Sequence, residues 1–170
     1  MTSTITHRMD LLARRILPSG STLFLLLLSL APTRIPGFSG IAPLLVLGAV
    51  FYWAVHRPDL LPFSLSFVFG FLQDVLSGTP VGVMSLVLIV VQWAAISQRR
   101  LFAKSFLLAW WGFAVAAAGG IGIAWVMTSI FNSRLVPPTA PFFQFLMTAA
   151  VFPFVMWLFA RLEAAMLREV

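Results

Sequence analysis

Side chains able to do acid–base, nucleophilic or metal chemistry are scarce in this chain. Its 170 residues include five acids, two histidines and no cysteine. The missing cysteine excludes a disulfide framework, a thiolate zinc site and a cysteine nucleophile. Asp10, Asp59, Asp74, Glu163 and Glu169 are scattered, and a metal hydrolase needs clustered ligands. No Gly-x-x-x-x-Gly-Lys-Ser/Thr loop is present to cradle a nucleotide. His7 and His56 both fall at the edges of apolar segments, so no Ser–His pair of an intramembrane protease is available. The expectation is a non-enzyme with no catalytic, cofactor-binding or metal-ligating residues.

One acid remains to be explained, and its setting depends on the elements around it. Hydrophobic residues make up 61% of the chain and charged residues 9%. Sixteen charges cannot cover the surface of a soluble fold of this size, which excludes an ordinary cytosolic enzyme or a disordered tail. The charges divide the chain into apolar intervals of 18, 22, 14, 24, 29 and 26 residues: Ile16–Thr33, Ile35–His56, Leu60–Gln73, Val75–Gln98, Ser105–Ser133 and Leu135–Ala160. A bilayer core needs about 20 helical residues. The short third interval reaches that length if Pro58–Ser77 is one helix. Barrel strands would alternate apolar and polar residues, and runs such as Leu25–Leu28 and Val87–Val91 do not. The reading is an all-α, polytopic membrane protein, a single domain over residues 1–170. Its six spans cover approximately 18–33, 38–56, 58–77, 81–98, 105–131 and 141–161.

Orientation follows the basic residues. With the N-terminus in the cytoplasm, Arg8, Arg14, Arg15, Arg57, Arg99, Arg100, Lys104, Arg161 and Arg168 lie inside, and only Arg34 and Arg134 lie outside. Both termini are then cytoplasmic. The pI of about 11.6 reflects this inside bias, so no nucleic-acid partner is expected. Residues 4–17 space Ile5, Met9, Leu12 and Ile16 as a basic amphipathic surface helix would, although the same stretch also serves as the topology signal. Ser29-Leu30-Ala31 looks like a signal-peptidase site, but Pro32 directly after it favours an uncleaved first span.

Within this frame Asp74 falls below or near the outer headgroups, where an acid costs roughly 2.5–3.5 kcal/mol. It must face protein, be protonated or sit at a break in the helix. Pro62, Ser66, Gly70, Asp74 and Gly78 recur at steps of four, a small ridge that lets helices approach closely. Ser77, Gly78, Thr79 and Pro80 then read as a stop and restart. Asp74 can cap that turn through its backbone amides. A partner-binding or gating role, or proton or ion coupling, stays open.

The stretch Gly70-Phe71-Leu72-Gln73-Asp74-Val75-Leu76-Ser77-Gly78-Thr79-Pro80-Val81-Gly82 resembles the signature of the MreD family of rod shape-determining inner-membrane proteins. The Tyr52-Trp53 pair, the Arg57-Pro58-Asp59 turn, the length and the six short-looped spans extend the resemblance to the whole chain. It implies a non-enzymatic part of the cell-elongation machinery, needed for rod shape and lateral peptidoglycan synthesis. The implied partner is an MreC-like bitopic protein. A RodA-like glycosyltransferase, a class B penicillin-binding transpeptidase and MreB-like filaments would be linked indirectly. The family fold is also similar to the substrate-binding components of energy-coupling-factor transporters, which keeps a small-molecule or lipid pocket as the alternative.

Other polar and small positions point the same way. Gln92 is the one mid-span amide, suited to an interhelical hydrogen bond or to a ligand. Gly112, Ala116 and Gly120 make a small-residue face in the fifth span, for packing within the bundle or for a partner helix. Pro80 and Gly82 complete the candidate structural or partner-binding set. Arg99, Arg100 and Lys104 form a cytoplasmic basic loop that meets membrane lipid or a cytoskeletal partner.

Overall fold

In the computed structural model, residues 17–29 and 43–167 are described, with side chains to residue 164. The amphipathic stretch over 4–17, the Ser29-Leu30-Ala31 site, the first loop and Arg8, Arg14, Arg15, Arg34 and Arg168 lie wholly or mainly outside them. All regular structure among the described residues is helical: α1 (Leu17–Ser29), α2 (Leu45–His56), a 3-10 turn (Pro58–Leu60), α3 (Phe63–Ser77), α4 (Val83–Ser97), α5 (Arg99–Phe102), α6 (Phe106–Phe131) and α7 (Thr139–Leu167). Two of these, α6 and α7 (over Thr139–Ala164), are long and apolar enough to cross a membrane. The others are shorter apolar helices, apart from the single turn of α5.

Helix α2 is the axis of the bundle. Every residue from Val46 to Val55 is buried, because the segment carries no charge and presents apolar side chains on all sides. Helices α4 and α7 pack on it from two sides, α6 bridges α4 and α7, and α3 stands outside with α4 as its main partner. Phe51 lies at the centre, edge-on to Phe113 and Phe152 at 5.4 and 5.7 Å. Phe113 and Phe152 themselves stack at 3.8 Å, joining α6 to α7. Helix α1 is tied on by the Trp53 indole N–H, which donates to Ser21 Oγ at 3.1 Å.

Residues 58–77 do not form one helix. Pro58–Leu60 makes a single 3-10 turn, Leu61 is extended (φ −124°, ψ 86°), and α3 begins at Phe63. Pro62 accounts for the break: it has no N–H to continue the ladder, and it pushes the residue before it out of the helical region. The freed Leu61 carbonyl is buried, and Gln92 of α4 reaches across to donate to it at 2.6 Å. Pro153, by contrast, lies inside α7, which continues past it.

The acid Glu163 is tied into the bundle. Its carboxylate accepts from Tyr52 Oη at 3.0 Å and from Arg57 Nε at 3.2 Å. More than a hundred residues separate these groups in sequence, so only the packing of α7 on α2 brings them together.

Candidate functional site: the α3–α4 turn and its cleft

The residues singled out around Asp74 converge on one turn. Helix α3 ends at Gly78, which takes φ +68°, and α4 starts after Gly82, at φ +99°. Both angles lie in the left-handed region where glycine is unstrained. Such a turn leaves orphan carbonyls at one helix end and orphan amides at the other. Asp74 serves both. Its backbone carbonyl accepts from the Gly78 N–H and from the Thr79 N–H at 3.1 Å. Its carboxyl accepts from Thr79 Oγ1 at 2.8 Å, Gly82 N at 2.9 Å, and Met84 N at 3.2 and 3.0 Å to its two oxygens. The α4 N-terminus is thus capped by a side chain from the preceding helix, where the helix dipole favours an acid.

Close helix contact makes this reach possible. At Gly70 an added Cβ would lie 2.4 Å from Ser85 Cα and 2.5 Å from Ser85 N. The two backbones touch there, and Ser85 Oγ donates to the Phe67 carbonyl at 3.1 Å. Ser66, Gly70 and Asp74 are all buried, whereas Phe63, Phe67 and Phe71 on the adjoining ridge are exposed. Ser66 Oγ and Gln92 Oε1 are buried with no hydrogen-bond partner among the described residues. Pro80 lies in the turn, and its carbonyl accepts from Val83 N at 3.3 Å.

The small residues of α6 divide between two surroundings. A Cβ at Gly112 would strike the Phe102 ring at 2.3 Å, and one at Gly120 would meet Val87 Cγ1 at 2.9 Å. Both glycines are therefore taken up by contacts inside the bundle, and Ala116 packs against its core. Gly119 and Gly122 face open space. Arg99, Arg100 and Lys104 are exposed at the opposite end of α4 from Asp74.

Beside the α3–α4 turn lies a cleft of about 280 Å³. Asp74 and Thr79 line one side; Ile121 and Trp125 of α6 and Pro141 and Gln144 of α7 line the other. The far wall is also latched: the Trp125 indole N–H donates to the Val136 carbonyl at 2.9 Å, and Val136 N donates to Ser129 Oγ at 3.3 Å. Among the described residues no three His, Cys, Asp or Glu side chains come together to hold a metal ion. Sequence reasoning missed Thr79 as a donor to Asp74 and Trp125 as a latch. The Asp-x-x-x-x-Thr-x-x-Gly spacing carried a signal for the first. The second had none, because its acceptor is a backbone carbonyl.

Fold and site together define an apolar helical bundle, two of whose helices are long and apolar enough to cross a membrane, in which the buried Asp74 joins α3 to α4. The family model for the rod shape-determining protein MreD matches residues 14–163, so the chain belongs to the MreD family. That family comprises structural, shape-determining proteins of the inner membrane. No curated protein and no solved structure matches the chain.

Proposed function

We propose that this protein is a non-enzymatic scaffold of the bacterial elongation machinery that binds an MreC-like partner through its transmembrane helices. In this reading all six apolar segments span the inner membrane and both termini are cytoplasmic. The Asp74 turn faces outward, and the Arg99–Lys104 turn faces the cytoplasm. The observation that carries the reading is the family match over residues 14–163, together with a carboxyl at Asp74 committed to helix capping. Three donors, Thr79 Oγ1, Gly82 N and a Met84 N–H shared between both oxygens, engage that carboxyl, which favours a capping role over proton or ion coupling. The RodA-like glycosyltransferase, the class B transpeptidase and MreB-like filaments are reached indirectly, through the partner.

Capture of the tagged protein from native membranes in mild detergent tests the proposal. An MreC-like protein should co-purify, and its consistent absence from stable, monodisperse preparations would refute the scaffold reading. The cleft beside Asp74 supports a second reading, a small-molecule or lipid-binding component like the energy-coupling-factor subunits. A stoichiometric non-bilayer ligand retained through purification would favour that one.

A further inference from the structure

Three cations on the α4–α6 connection have no role in the bundle. Arg99, Arg100 and Lys104 are all exposed, and among the described residues the only ion pair is Arg57 with Glu163, elsewhere on the surface. The connection is nevertheless held rigidly. Leu101 N and Phe102 N both donate to the Gln98 carbonyl at 2.9 and 3.3 Å, and Ala103 N donates to the Arg99 carbonyl at 2.9 Å. Phe102 plugs the turn into the bundle: its ring lies flush on α6 at Gly112 and 5.5 Å from the Phe51 ring. Like charges crowded on a fixed turn repel one another. That repulsion falls when an external anion sits among them.

The neighbouring surface indicates which anion. Leu101 is 50% exposed, and α6 begins with Phe106 and Leu107 at 56% and 60%. A cationic turn thus continues directly into an apolar helix face, matching a molecule with an anionic head and a hydrocarbon tail. We infer that the Arg99–Lys104 turn is a binding site for an anionic phospholipid of the inner leaflet. The headgroup phosphate lies among Arg99, Arg100 and Lys104, and an acyl chain runs along Leu107 and Trp111. An acidic protein segment would have no use for the apolar continuation. The inference rests on the proposed orientation, and the site fixes where anionic lipid gathers around the protein.

The test uses the full-length chain and phosphatidylglycerol as probe, with single-lipid affinities measured by native mass spectrometry against phosphatidylcholine. Each cation near an anionic headgroup contributes about fivefold, so R99Q/R100Q/K104Q should weaken phosphatidylglycerol binding on the order of a hundredfold. Phosphatidylcholine binding should be unchanged. R134Q should match the wild type, and R99K/R100K should retain most of the affinity. Unchanged phosphatidylglycerol affinity in the triple variant, or a parallel loss of phosphatidylcholine, overturns the site. Orientation is read separately, by impermeant thiol labelling of S97C in this cysteine-free chain. Labelling from the outer face would sink the topology while leaving the lipid measurement intact.

Discussion

The contact at Gly70 offers the sharpest perturbation. In Gly70→Ala the new methyl would lie 2.4 Å from Ser85 Cα, 2.5 Å from Ser85 N and 2.7 Å from the Met84 carbonyl carbon. Carbon atoms pack at about 3.5–4.0 Å, so α3 must retreat from α4 by about 1 Å. All three obstacles are backbone, and none can rotate aside as a side chain would. The retreat also lengthens the bonds from Gly82 N and Met84 N to Asp74, now 2.9 and 3.0 Å, and the 2.6 Å bond from Gln92 to Leu61. Overpacking of this kind costs about 1–3 kcal/mol. Weakening the capping bonds adds to that figure. Gly119→Ala is the matched control, because nothing lies within 4 Å of its added methyl. Thermal unfolding in detergent, followed by circular dichroism or fluorescence-detected gel filtration, should show a clear drop for Gly70→Ala and none for Gly119→Ala. If the two variants unfold together, the close backbone contact, and the argument built on it, is wrong.

Further outcomes follow from the same geometry. Asp74→Ala leaves the Gly82 and Met84 amides and the Thr79 hydroxyl without their acceptor, at about 1–3 kcal/mol for each group left unpaired. Asp74→Asn keeps one acceptor oxygen, and its loss of stability should be visibly smaller in the same unfolding assay. Gly112→Ala should cost less than Gly70→Ala, since the obstacle is the Phe102 ring, a side chain able to shift; parallel melting curves decide it. Arg57→Gln should change stability by less than about 1 kcal/mol, because the Arg57–Glu163 pair is half exposed on the arginine side. Glu163→Leu should cost more than Arg57→Gln, since it removes the acceptor of the Tyr52 hydroxyl as well; a denaturant titration of both variants separates the two effects.

Several features could be read before any coordinates. Apolar runs free of charge must be helices if they lie in lipid, since no other local structure satisfies its own backbone there. The described helices fall within or close to those runs. The ridge Ser66-Gly70-Asp74 was visible because residues four apart share a helix face, whatever they pack against. Gly78 and Pro80 marked the turn, because glycine adopts a positive φ without strain and proline cannot continue a helix. Pro62 was equally visible, but its effect was masked by the assumption that a span of bilayer length must be one continuous helix.

Tertiary structure decided everything that depends on which faces meet. The spacing of Asp74 could not reveal that its carboxyl reaches eight and ten residues ahead to cap α4, because that reach exists only when Gly70 lets the two backbones touch. Gly112, Gly120 and Gly119 are alike in sequence. Packing alone sets the first two against Phe102 and Val87 and leaves the third open. Glu163 is bonded to Tyr52 and Arg57 because α7 lies on α2, a relation no local pattern encodes. The sequence by itself determined composition, helix-forming segments and the turn between α3 and α4, all of which follow from forces acting over a few residues. The partner of each face was settled only when the chain folded, because it depends on shape complementarity between segments far apart in sequence.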